Sequence, residues 1–140
     1  MPYSMKWYIK DELIHLQYWG VTTVDELRES MVKSSEWIEN SPREIVHTII
    51  DVGGIVEQVS LKDSMRIVRE IGTHSRGGWS LTIGEKSKLI QMSSALGSSI
   101  FKVRYRSFAT LEQALAHLKE FDQGISWDKV ELNTAQLMEG

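Results

Sequence analysis

Hydrophobic and polar residues alternate singly in three stretches of this chain. Ile14, Leu16 and Tyr18 alternate with His15 and Gln17, and Trp79, Leu81 and Ile83 with Ser80 and Thr82. Phe101, Val103 and Tyr105 alternate with Lys102, Arg104 and Arg106. A period of two is that of a strand with one buried face. Residues 5–9 precede the 13–19 run across a short polar turn, Lys10-Asp11-Glu12, and the pair predicts an antiparallel hairpin. Residues 45–51 form a run rich in β-branched side chains that ends in Asp51 and leads to Gly53-Gly54. It predicts a third strand followed by a turn.

Between these strands the period lengthens to that of a helix. Thr22 or Thr23 caps a first helix, with Asp25 or Glu26 placed to complete a capping box, and Val24, Leu27, Met31 and Ile38 share its inner face as far as Ser41-Pro42. Ser60 and Asp63 open a second helix, with a stripe of Leu61, Met65, Val68 and Ile71 and a stop at Gly72. Residues 86–99, rich in small side chains, predict a third. Thr110 and Gln113 cap a last helix that carries Leu111, Ala114, Leu115, Leu118 and Phe121.

The order β-β-α-β-α-β-α-β-α implies an α/β fold. A mixed five-stranded sheet starts with the hairpin and continues as parallel βα units with right-handed crossovers. The alternating strands imply helices mainly on one face, and consecutive strands then lie side by side. The expected core is Leu27, Met31, Ile49, Leu81, Ile83, Leu96, Val103, Leu115 and Leu118. Residues 1–122 form the domain and 123–140 a tail. Trp127, Val130 and Leu132 in that tail have no place in the main pattern, so they pack across the open sheet face or exchange with a second subunit in a homodimer.

Composition narrows the chemistry. At 140 residues the chain suits one domain with its own core. It has no cysteine, which excludes disulfides, thiolate zinc sites and thiol catalysis and fits a cytoplasmic setting. A net charge of −3 argues against nucleic acid as partner. The apolar runs are too short to span a bilayer, and the first residues lack a signal-peptide core. His15, His47, His74 and His117 show no metal-site spacing, so neither metal nor cofactor is expected. With no Gly-x-Ser-x-Gly elbow and no nucleophile–base pair, the chain reads as non-catalytic.

The stretch from Arg43 to Leu61 is where binding is expected. A strand, a glycine pair and a helix N-terminus place backbone N–H groups beside the positive end of a helix dipole. Asp51, Gly53, Gly54, Glu57 and Ser60 would form the surface. Ser60 reads either as a helix cap or as a phosphoacceptor at its centre.

With this element order the chain resembles the SpoIIAA-like, STAS-type domains over roughly residues 7–121. The aromatic-rich opening hairpin, the IIDVGG stretch after the third strand and RYRSFATLEQALAHL at the end carry the resemblance. It implies a βα superhelical fold that acts in regulation, by protein contact or small-ligand sensing, without catalysis. In the anti-sigma antagonist branch a serine at the start of this helix, within Asp-Ser-Ser-Gly, is phosphorylated. The matching stretch here is Val59-Ser60-Leu61-Lys62, which keeps only the serine. The expectation is therefore a regulatory module binding a protein partner through the loop and helix start after strand 3. The alternative is a domain for a small apolar ligand or lipid, with a pocket between sheet and helices near Gly53, Trp79 and Met92.

Overall fold

A computed structural model describes residues 3–72, 74–87 and 104–129. Strands β1 (Tyr3–Ile9) and β2 (Leu13–Val21) pair antiparallel. Their turn closes where the Glu12 N–H donates to the Ile9 carbonyl, with Asp11 in the left-handed region at φ 66°. Helix α1 (Val24–Asn40) starts at Thr23, whose hydroxyl accepts from the Glu26 N–H at 3.2 Å while the Glu26 carboxylate returns to Thr23, completing the capping box. Helix α2 (Leu61–Ile71) starts at Ser60 and stops at Gly72, where φ is 79°. Helix α3 (Leu111–Phe121) starts at Thr110. Strand β4 spans Gly77–Ile83 and β5 Arg104–Phe108.

Strand β3 (Val46–Glu57) runs past the expected turn. Gly53 and Gly54 are strand residues, and Gly54 pairs with Trp19. The loop after it is confined to residues 58–60. A Cβ on Gly54 would approach the Trp19 Cβ at 3.1 Å, so the glycine lets β2 and β3 stay paired where they curl past the sheet.

The sheet order is β1-β2-β3-β4-β5, antiparallel in the first pair and parallel thereafter. Register fixes the faces. His15, Ile49, Leu81 and Arg106 form one transverse row, and Leu16, Ile50, Thr82 and Ser107 the next. The apolar set of β2 therefore points away from the apolar set of β4. Leu16 and Tyr18 pack with Leu27 of α1, and Ile14 with Ile38 of α1. Ile49, Leu81 and Ile83 pack with Ala114 and Leu118 of α3. Among the described residues α1 and α2 cover one face and α3 crosses the other. Ile125 and Trp127, in the expected tail, join the α3 side of the core.

Of the expected core, Ile49, Leu81, Ile83 and Leu118 are buried. Leu27, Met31 and Leu115 are only half-buried. The expected helix start at residues 86 and 87 is irregular backbone, while residues 88–99 and strand residues 101–103, with Met92, Leu96, Lys102 and Val103, lie outside the described residues, as do Val130 and Leu132.

Candidate functional site

A cavity of about 660 Å³ lies between the sheet and helices α1 and α2. Its floor is the face carrying Leu16, Tyr18, Thr48, Ile50, Val52, Ser80 and Tyr105. Leu27, Met31, Ser35 and Ile38 of α1 and Ser64, Met65 and Val68 of α2 complete the wall. Leu27 and Met31 are both half-buried and border this space, Leu27 while also packing against Leu16 and Tyr18. The 58–61 segment edges the cavity through Gln58, Val59 and Leu61. That volume is within the range of small-molecule sites, roughly 300–1,000 Å³.

Titratable chemistry is scarce around it. The Tyr18 phenol is pushed up to about 12, first by burial, and is hydrogen-bonded to the Ser30 hydroxyl. It is therefore a neutral group at any physiological pH. Arg104 borders the cavity, but its register with Trp79 turns its side chain to the α3 face.

The residues expected to bind lie along the C-terminal half of β3 and at the start of α2 rather than in one pocket. Asp51 pairs in register with Gln17 and Ile83, which places it on the α3 face, and its carboxylate accepts from the Gly53 N–H at 2.9 Å. Gly53 and Gly84 pass close together: a Cβ on Gly84, at φ 81°, would lie 2.8 Å from the Gly53 Cα. Gly53, Gly54, Glu57 and Ser60 are exposed. The Ser60 hydroxyl accepts from the Asp63 N–H at 3.1 Å, the geometry of a helix cap.

A buried polar network on the α3 side corresponds to no motif in the sequence. His47, a mid-strand position whose ordinary reading is a solvent-facing side chain, is instead 2% exposed. Its Nδ1 accepts from the Trp79 N–H at 2.9 Å, so the ring proton resides on Nε2, which donates to the Asp122 carboxylate at 2.8 Å. Gly78 makes room for the ring, since a Cβ there would lie 2.6 Å from His47 Cε1. Arg43 bridges Asp122 and Glu12, and Glu12 accepts from the Ser126 N–H at 2.9 Å. Both ring nitrogens of His47 are thus occupied, and the His–Asp pair is a tie between strand and C-terminal segment rather than a base. Arg76 does comparable work for α1, donating to the carbonyls of Ile38, Glu39, Ser41 and Arg43. The one signal for His47 in the sequence was its parity with Ile49.

His15 and His117 are buried on the same side. Neither has a hydrogen-bond partner for Nε2. Burial holds all three imidazoles below their ordinary value. For His15, Asp51 opposes and Lys6 adds to that shift; for His47, Asp122 opposes while Arg43 and Arg104 add. For His117, Arg106 and His47 add and Glu120 opposes. Unfolding restores ordinary imidazoles, so the unfolded chain binds more protons as pH falls through about 6.5. Stability is complete above that point and declines below it, each ring contributing at most ~1.4 kcal/mol per pH unit. Urea midpoints at pH 7.5, 6.5 and 5.5 should fall in that order; a flat or rising series would contradict the buried neutral assignment.

Among the described residues no cluster of His, Cys, Asp and Glu is placed to hold a metal, and no helix is long and apolar enough to cross a membrane. No family model and no curated protein matches the chain. Its structure is similar to the crystal structure of an uncharacterized protein of the DUF3478 family with a SpoIIAA-like fold, from Shewanella loihica PV-4. The TM-score is 0.60 and the identity 13%, over 83% of this chain and 93% of that one. The fold is therefore SpoIIAA-like.

Proposed function

We propose that this chain is a non-catalytic, cytoplasmic regulatory module that senses a small apolar molecule held between the sheet and helices α1 and α2. The cavity of about 660 Å³ carries the reading. A module that worked by surface contact alone would gain nothing from leaving Leu27 and Met31 half-buried, because empty space costs stability. The absence of catalysis is supported by placement: the shifted histidines lie on the α3 side, across the sheet from the cavity, and Tyr18 is held neutral.

Nile red, an uncharged apolar dye, tests this. The parent should raise its emission saturably at one site per chain. Met31→Phe combined with Val68→Phe fills the space and should weaken that binding at least about tenfold, with the melting temperature kept or raised. No binding by the parent, or equal binding by the filled variant, would dismiss the cavity as a ligand site.

A second reading, binding of a protein partner through Asp51, Gly53, Gly54, Glu57 and Ser60, is favoured by a separate observation. Val56 is 83% exposed, and Trp19, Val21 and Leu61 are exposed at the same end of the sheet. Exposed apolar groups gathered beside a helix N-terminus suit a contact surface, between copies of this chain or with another protein. Ser60→Asp and Val56→Asp should each abolish such a complex while Ser60→Ala only lowers the melting temperature. Complexes surviving both acidic substitutions would place the contact elsewhere.

A further inference from the structure

The cavity floor is chemically divided, and the division specifies a ligand. Cα register runs Ile14, Thr48, Ser80, Tyr105 across β2 to β5, so the last three present hydroxyl groups side by side on adjacent strands. All three residues line the cavity. Thr48 is buried and Ser80 and Tyr105 half-buried, and none of their hydroxyl oxygens is both enclosed and unpartnered, so the row opens onto the cavity. Over β2 and β3 the floor is hydrocarbon, with Leu16, Ile50 and Val52, and Met31 faces it from α1. Hydroxyls that border the cavity bond water when it is empty, and the oxygens of a bound molecule can take the place of that water.

Charge is the other half of the argument. Among the described lining residues the charged or titratable cations are Arg104, which its register turns to the opposite face, and His74, which is already engaged by the Glu39 carboxylate at 2.7 Å. An ionised head group entering this space would lose its hydration with no counter-ion in return, a cost far above that of a neutral one. We infer that the cavity takes an uncharged amphiphile, its hydrocarbon against Leu16, Ile50 and Met31 and its oxygen-bearing neutral head over Thr48, Ser80 and Tyr105. A monoacylglycerol or a polyol ester has this chemistry; a fatty-acid anion or an alkylammonium does not. The inference rests on the ligand reading above and adds the polarity and orientation of the guest.

Three probes with the same lauroyl-length tail separate the possibilities by displacement of Nile red from the full chain at pH 8.5, below their micelle concentrations. Monolauroylglycerol should displace the dye at a concentration at least about tenfold lower than laurate or dodecyltrimethylammonium. The Thr48→Val, Ser80→Ala, Tyr105→Phe variant, checked for a parent-like melting curve, should reduce that advantage to about threefold or less and leave Nile red affinity within about twofold. Laurate or the cation displacing as well as the glyceride would overturn the neutral-head assignment. An advantage that survives the triple substitution would overturn the role of the hydroxyl row. In either case dye binding by the parent still stands for the cavity; a parent that binds no Nile red removes both readings together.

Discussion

Replacing Leu81 by alanine is expected to lower stability by about 2–5 kcal/mol, with the urea midpoint falling and the slope unchanged. Leu81 is fully buried and sits on β4, between β3 and β5 in the sheet. On its face it meets Ile49, Ile83 and Leu118, themselves buried, so backbone hydrogen bonding on both sides prevents the site from collapsing around the lost atoms. Leu27→Ala is the control. That side chain borders the cavity and is half-buried, so its truncation enlarges existing space and removes fewer contacts, with an expected loss of about 1 kcal/mol. Equal losses at the two positions would mean that the sheet faces are wrongly assigned or that the cavity collapses in solution.

The contrast between these two leucines marks what the sequence could and could not convey. The helix starts were legible because capping is local: Thr23 with Glu26, Ser60 with Asp63 and Thr110 with Gln113 each needed only neighbours in the chain. Strand order was legible because short βα crossovers leave few alternatives. The sense of the alternation was not. Ile14-Leu16-Tyr18 and Trp79-Leu81-Ile83 look alike in sequence, but pairing through β3 sets them on opposite faces, and α3 covers the second. Periodicity gives the existence of a buried face and says nothing about which side of the sheet it occupies.

The same limit governs the site. A glycine pair after a strand predicts a turn, but Gly53 and Gly54 extend β3 because β2 continues alongside through Trp19 and Gly20. Such an override by pairing is invisible until the partner strand is known. Ser60 was legible as a cap and the structure places it as one. The cavity had a faint trace in the polar positions Thr48 and Ser80, which read as a solvent face until register aligns them with Tyr105, from the apolar set of β5, under α1 and α2. His47 and Asp122 are far apart in the chain, and their contact depends on α3 returning beneath the sheet.

That contact carries the second large effect. Asp122→Ala is expected to cost about 2–4 kcal/mol, because it leaves three donors, on His47, Arg43 and Gly124, without their acceptor. The Nε2–H of His47 cannot turn to another partner while Nδ1 accepts from the Trp79 N–H, and the ring is shielded from water. The Arg43 guanidinium keeps Glu12 but loses Asp122, to which it donates at 2.8 Å. Burial alone would raise the Asp122 carboxyl; hydrogen bonds from His47 and Gly124, with Arg43 nearby, win and hold it below its usual value. Asp122→Asn can still accept from His47 but carries no charge for Arg43, so it should lose roughly half as much. Segment 123–129 hangs on this tie through Gly124 and, by way of Glu12, Ser126. Limited proteolysis of Asp122→Ala should therefore cut that segment sooner than the rest of the chain unfolds. A Glu12→Ala, Asp122→Ala pair should be more than additive, since only the double change leaves the Arg43 guanidinium with neither carboxylate. A loss below about 0.5 kcal/mol for Asp122→Ala, with parent-like proteolysis, would show that water replaces the carboxylate and that the network only decorates the fold.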